Sequence, residues 1–346
     1  MIASNFQRPL RIAAIMVIVA GVFALLIVAK QILIPILIAC ILAYITIVLS
    51  SGIQNHYFFK KKLPQWLAHL LSIIIMVAIG WVVWTIVKIH ITGIISQIPF
   101  YESQLINLTS QLGPDIQSHI ANGLAQVNVS GMLGNFAGSI ATAGSKIVLV
   151  VIYTIFIIIE FPFIKKKIHY FFEGHESQKQ QTKNILSFIS RDVNAYFKIK
   201  TLASLLTAVL CYIVLLIFNV DFPIFWALLI FVLNFIPTIG SITAVLFPAV
   251  LTLLQFASFG RFAAILIVLI FVQLLVGNLI EPRIAGRVLN ISPLVILLAL
   301  VVAGALWGVV GMIISVPIVI VVKIVAEQFP GTKLISVLLS RDGHSS

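Results

Sequence analysis

The sequence predicts an all-α, polytopic membrane protein with about eight membrane segments. Two of these are broken or hairpin helices of opposite orientation, and one further helical segment lies outside the membrane. Three observations carry this. Only 9% of the 346 residues are charged while 61% are hydrophobic, and the mean hydropathy is +1.17. A soluble domain carries about 25% charged residues, so this composition cannot clothe a water-facing surface. The apolar residues fall in charge-free runs at 12–29, 31–55, 67–87, 147–159, 201–220, 222–260 and 262–280, near or above the roughly 18 residues that read as a spanning helix. These runs are long and continuous, unlike the alternating strands of about 9–11 residues in a membrane barrel.

The spans are expected at 12–29, 31–50, 67–90, 146–161 and 201–219. The first begins after Arg8 and Arg11 but ends in Val28-Ala29-Lys30-Gln31 without a small-x-small exit, so an uncleaved span is expected rather than a signal peptide. Lys60, Lys61 and Lys62 follow the second. No Lys or Arg stands between Lys88 and Lys146, and then Lys165, Lys166, Lys167, Lys179, Lys183, Arg191, Lys198 and Lys200 crowd one loop. The positive-inside bias places that loop and both termini in the cytoplasm and residues 91–144 outside. This gives five regions: three membrane helices in 1–90, the outer segment 91–144, the fourth span with its basic loop in 145–200, a module of two hairpins in 201–325, and a tail, 326–346.

Inside the outer segment, Ile91, Ile94, Ile98, Tyr101, Leu105, Leu108 and Leu112 recur at steps of three and four, an a/d-type seam. Pro99 suits the first turn of its helix. The seam fits either the protein's own membrane domain or a second protomer. In the basic loop, Ile185, Ile189, Val193 and Tyr196 share a face, as in an amphipathic helix feeding the fifth span.

Beyond residue 220 two apolar stretches exceed one perpendicular helix. Residues 222–255 are interrupted at Asn234, Pro237 and Gly240, and residues 293–325 at Gly304, Gly308 and Gly311, with Pro317 beyond. Backbone groups freed by such breakers must find partners in protein or in a watery cavity. One stretch follows the expected outer end at Asp221, the other an inner loop with Arg283 and Arg287, so the two are expected to enter from opposite faces and flank the span 262–280. Paired interrupted segments of inverted orientation point to a transporter binding site.

Asn234-Phe235-Ile236-Pro237-Thr238-Ile239-Gly240, then Gly277-Asn278-Leu279-Ile280-Glu281-Pro282-Arg283-Ile284-Ala285-Gly286, then Ser292-Pro293-Leu294 resemble the signature of the autoinducer-2 exporter family of bacterial permeases. The Gly304, Gly308, Gly311 and Pro317 series and, more loosely, the rest of the chain fit the same pattern. The resemblance implies an inner-membrane exporter of small molecules that assembles as a homo-oligomer. Members have been assigned export of the quorum signal autoinducer-2, others sodium(lithium)/proton antiport.

The candidate pathway residues are Asn234, Pro237, Gly240, Gln273, Asn278, Gly304, Gly308 and Gly311. Amide side chains both donate and accept, which suits a hydroxylated solute as well as it suits freed backbone. Gly304-Ala-Leu-Trp-Gly308 is a GxxxG pattern, usually a mark of close packing. Glu281 is expected to pair with Arg283 or Arg287 at the end of its span, or to serve as an ion site. Cys40 and Cys211 lack CxxC spacing and are expected to pack as small hydrophobes.

The sequence contains no G-x-S-x-G, no H-E-x-x-H and no P-loop. A non-enzymatic protein without cofactor or metal is therefore expected, with membrane lipids and a small-molecule substrate as partners. The net charge of +12 sits in loops, where it sets topology and meets lipid heads. It forms no aromatic-interleaved basic face, so no nucleic-acid partner is expected. The expected outcome of the charge asymmetry is that cysteines placed at Ser110 and Ser177, in a chain lacking Cys40 and Cys211, react with an impermeant thiol reagent from opposite sides of the membrane. Labelling of both from one side would overturn this topology.

Overall fold

The structure, a computed structural model, describes residues 2–55, 63–110, 147–163, 166, 167, 170, 176–285 and 290–343; among these it contains helices and no strand. The long helices are α1 (Ile2–Val28), α2 (Lys30–Asn55), α3 (Gln65–Ser96), α4 (Ile98–Ser110), α5 (Ile147–Phe163) and α6 (Glu176–Ile217). After them come α7 (Pro223–Leu233), α8 (Ile239–Phe256), α9 (Phe259–Leu274), the short α10 (Glu281–Ala285), α11 (Pro293–Gln328) and α12 (Lys333–Leu339). Six helices are long and apolar enough to cross a membrane, and shorter apolar ones join them. The protein is an all-α polytopic membrane protein.

The spans expected at 12–29 and 31–50 are both present as helix, yet only Ala29 stands between them. Its N–H donates to Leu25 O and its carbonyl accepts from Ile32 and Leu33. Returning a helix alongside itself takes a loop of about 2–5 residues. A joint therefore occupies the place where two reversing passes need a turn.

Helix α6 is the axis of the fold. Its 42 residues fuse the expected amphipathic segment to the fifth span without a break. The amphipathic face predicted from Ile185, Ile189, Val193 and Tyr196 packs on Ile291, Val316, Val319, Ile320 and Ile324. Farther along, Cys211 and Leu215 are wholly buried among Ile230, Ile265 and Leu269, where α6, α7 and α9 meet. Cys211 thus packs as a small hydrophobe as expected, whereas Cys40 is exposed. Lipid tails are as apolar as these side chains, so close packing and hydrogen bonds, more than expulsion from water, decide the association.

Helices α7 and α8 form the first hairpin. Phe222 (φ 57°) starts it with Pro223 in the first turn, and the chain reverses through Asn234–Thr238. The arms approach so closely that a Cβ on Gly240 would lie 1.8 Å from Leu233 O. Helix α11 hides the second hairpin: Gly308 breaks it at φ 62°, ψ −143°, a region open to glycine alone. A Cβ on Gly311 would lie 1.9 Å from Ala303 O, a pair that an unbroken helix would hold about 12 Å apart. Each hairpin thus has one glycine seated on the carbonyl of the opposing arm.

The hairpins run in opposite directions along α6. The open end of the second lies by the start of α6, where Gln181 Nε2 donates to Gln328 O at 3.0 Å. The first leaves the far end of α6, and its tip returns to meet Lys200, Ser204 and Thr207. Its open end is clasped by polar contacts. Asp221 N–H donates to Gln255 Oε1 and Gln255 Nε2 to Asn219 O, both at 2.9 Å, while Tyr101 OH donates to Asp221 Oδ2 at 2.9 Å. Burial, then the Asp221 hydrogen bond and charge, push the Tyr101 phenol up, so it remains a donor.

That contact places the α4 seam. Ile91 and Tyr101 belong to the core shared with the first hairpin, and Ile98 and Leu108 are buried within the same chain. Pro99 sits in the first turn of α4, as expected. Leu112 and most of the outer segment lie outside the described residues. Residues 333–339, expected in a tail, are tied back to the second hairpin through Ser292 N–H to Leu339 O at 2.9 Å.

The two seated glycines are the expected points of failure. Gly240→Ala and Gly311→Ala each drive a methyl into a backbone carbonyl and should destabilise by about 3 kcal/mol or more. Gly304→Ala meets only the end of the flexible Met312 side chain, 2.8 Å from Cε, and should change stability by about 1 kcal/mol or less. Thermal unfolding of the detergent-solubilised variants checks the ranking.

Candidate functional site

At the tip of the first hairpin lies a cavity of about 350 Å³. Its walls come from α6 (Lys200, Ala203, Ser204, Thr207), the tip (Asn234, Ile236, Pro237, Thr238, Ser241) and the far end of the α9 run (Gln273, Leu274, Gly277, Asn278, Glu281). Half of these side chains are uncharged donors or acceptors. Gln273 Nε2 donates to Asn234 Oδ1 at 3.2 Å, fixing both amides across the opening. Ser204 is 1% exposed and its Oγ finds no partner among the described residues, whereas Thr207 satisfies itself on Ala203 O at 2.9 Å.

One ion pair completes the lining. Lys200 Nζ lies 2.5 Å from Glu281 Oε1, with the side chains 16% and 26% exposed. The partner described for Glu281 is thus Lys200, where the sequence led to an expectation of Arg283 or Arg287. Arg283 is exposed on the short helix α10, and Arg287 lies outside the described residues. The α-helical ladder loosens where Glu281 is presented: residues Leu275–Ile280 form a π-helix, and Glu281 N–H donates to Val276 O. A π segment widens the helix by a residue per turn and recurs at functional sites. Gly277, Asn278 and Glu281, in and directly after this segment, all line the cavity.

The tip itself is strained. Ile239 N–H reaches Pro237 O at 2.6 Å, so three residues close a γ-turn with Thr238 at φ 60°, ψ −62°. This positive-φ form is rare and unfavourable for a β-branched residue. Pro237 removes one donor from the tip, and Gly240 permits the close approach that follows it.

Paired broken helices of opposite direction recur in membrane transporters, and here the tip of one of them borders a polar cavity. Residues 14–331 match the family described as AI-2E family transporter. This chain belongs to the AI-2E transporter family. The AI-2E relatives include a putative transport protein of Haemophilus influenzae, 30% identical over 350 residues that cover 97% of each chain. Another is a putative transport protein of Borreliella burgdorferi, 34% identical over 258 residues, 72% of this chain and 69% of its own. The AI-2 transport protein TqsA of Escherichia coli is 29% identical over 320 residues, 90% of each chain.

This AI-2E transporter divides the residues singled out by sequence into two groups. Asn234, Pro237, Gln273, Asn278 and Glu281 line the one cavity, with Gly240 directly behind its tip. Gly304, Gly308 and Gly311 belong to the second hairpin and line no part of it. The apex there turns elsewhere, Trp307 Nε1 donating to Leu26 O at 3.4 Å. Lys200, Ser204 and Thr207 are not among the residues the sequence singles out, because Lys200 reads there as one more topological charge of the basic loop. Their spacing of four and three in an apolar run was the available signal: it puts all three on one helical face.

Removing one partner of the ion pair leaves the other charge poorly compensated, whereas removing both does not. Lys200→Met and Glu281→Gln should each lower stability by about 2–4 kcal/mol, and the double variant should recover much of the loss. Denaturation of the three variants in detergent tests this, and additive losses would show that the two side chains are not coupled.

Proposed function

We propose that the protein is a secondary transporter that exports small polar molecules across the bacterial inner membrane, with the cavity at the tip of the first hairpin as its substrate site. One observation carries the reading: uncharged hydrogen-bonding groups converge on a strained helix break beside a neutral ion pair. A polar solute there can exchange water for the amides of Asn234, Gln273 and Asn278 and for carbonyls released at the tip. The name of the E. coli relative makes autoinducer-2 the first solute to assay. The sequence has no P-loop, which favours a gradient-driven or passive cycle over ATP hydrolysis. The glycines of both hairpins serve in this reading as hinge points whose small motions change which side is open, and the family resemblance supports a homo-oligomeric assembly.

A second reading, monovalent cation/proton antiport, gains support from a titratable pair, Lys200 and Glu281, placed within the cavity rather than at a lipid interface. Transport in proteoliposomes separates the two. Gly240→Leu and Gly308→Leu should abolish transport with a loss of thermal stability beside it, and Asn234→Ala should weaken substrate affinity about tenfold with less effect on maximum rate, the scale of one lost hydrogen bond in a desolvated site. Under the export reading Glu281→Gln keeps transport with unchanged pH dependence. Loss of proton coupling in that variant would favour antiport, and parental transport in both glycine variants would remove the hairpins from the mechanism.

A further inference from the structure

A second cavity, of about 430 Å³, lies at the open end of the second hairpin. Arg191, Asp192, Asn290, Lys323 and Glu327 supply its polar wall. Lys323 is only 7% exposed and donates to Asn290 O at 2.9 Å, while Glu327 Oε1 is buried without a partner among the described residues. Apolar packing alone gives no reason for such groups inside the fold. Both cavities abut α6, one at Asp192 and the other at Lys200. Eight residues separate these, about 12 Å of helix.

Halfway between them stands Tyr196. It is 2% exposed, set in the apolar cluster of Ile291, Val316 and Ile320, with Phe197 edge-on at 5.5 Å and Tyr44 beyond, itself 5.5 Å from Phe197. Its hydroxyl is buried and meets no hydrogen-bond partner among the described residues. Asp192, Tyr196, Lys200 and Ser204 follow one another at steps of four and so stack along one face of α6. Every member of that row except Tyr196 lines a cavity. A phenol in an apolar cluster with an unmade hydrogen bond is a disfavoured arrangement, and it becomes intelligible when the side chain has a second position in which the bond is made.

We propose that Tyr196 is the barrier between two polar cavities that together form one conduit along α6, its ring closing the conduit in this structure and its hydroxyl joining the polar row when the conduit opens. The inference rests on the reading of the Asn234 cavity as the substrate site and extends that path to the second cavity. It gives the amphipathic half of α6 a role beyond feeding a span. Tyr196 is a positioning and gating residue here, with no contact to a reacting group.

Thiol accessibility tests it in full-length protein reconstituted in vesicles, with Cys40 and Cys211 replaced by Ser. A charged methanethiosulfonate reagent added on the Asp192 side should modify Asp192→Cys quickly and Ser204→Cys at least about tenfold more slowly. Tyr196→Ala should raise the Ser204→Cys rate about tenfold or more and leave the Asp192→Cys rate unchanged. Tyr196→Phe keeps the packing and removes only the hydroxyl, so the open form alone loses a bond and the Ser204→Cys rate should fall about threefold or more. Equal rates at the two cysteines with Tyr196 intact, or a Ser204→Cys rate that Phe leaves unchanged or raises, would overturn the proposal; so would a folded Ala variant without effect. The readout needs no transported solute. A barrier found here together with transport indifferent to Asn234→Ala would remove the substrate site and leave the barrier standing.

Discussion

The close approach of a glycine to a carbonyl is the contact on which this architecture depends. A helix that turns back within membrane depth exposes backbone groups at its bend, and lipid offers them no partner. The two hairpins meet that demand by bringing their arms almost into backbone contact, Gly240 on Leu233 O and Gly311 on Ala303 O. With the arms closed, the bend is shielded by the protein, and only the residues of the tip are left to face a cavity. The asymmetry between the tips follows from their chemistry. One is made of Asn234, Pro237 and Thr238 and borders a polar space, while the other is a single glycine beside Trp307, whose indole is committed to Leu26 O.

Helix α6 converts those two hairpins into one device. Its first half holds the open end of the second hairpin through apolar contacts, and its second half holds the tip of the first. Between the halves the surface changes from Ile185, Ile189 and Val193 to Lys200, Ser204 and Thr207. A rigid rod in contact with both is the simplest way to make a movement at one visible to the other, since tightly packed interfaces shift between discrete arrangements rather than deform smoothly.

The membrane character, both hairpins and their opposite sense were legible in the sequence because each rests on a one-dimensional signal: run length, breaker position and the order of charged loops. Helix α6 was legible in halves, its apolar stripe in one and its span in the other, but their continuity was not, because the change from amphipathic to uniformly apolar reads as a boundary. The cavity was legible on two of its three walls. Asn234, Pro237, Gln273 and Asn278 sit beside helix breakers or interrupt apolar runs, and so attract notice. Lys200 does not, because it ends a basic stretch and looks like its neighbours. The partner of Glu281 could not be read either, since Arg283 and Arg287 are adjacent in sequence while Lys200 is 81 positions away. The π-helix left no sequence signal beyond Gly277. The joint at Ala29 was hidden because charge alternation implies a reversal and says nothing about the loop available to make it.

The γ-turn at Thr238 holds energy that folding alone did not require. A positive-φ β-branched residue carries about 1–3 kcal/mol of backbone strain. Any state of the tip in which Thr238 returns to an ordinary conformation is relieved of that amount, and a solute that binds only the strained form loses a corresponding factor of about 5–150 in apparent affinity. The backbone of one residue thus sets how readily the tip leaves this shape, before any solute arrives.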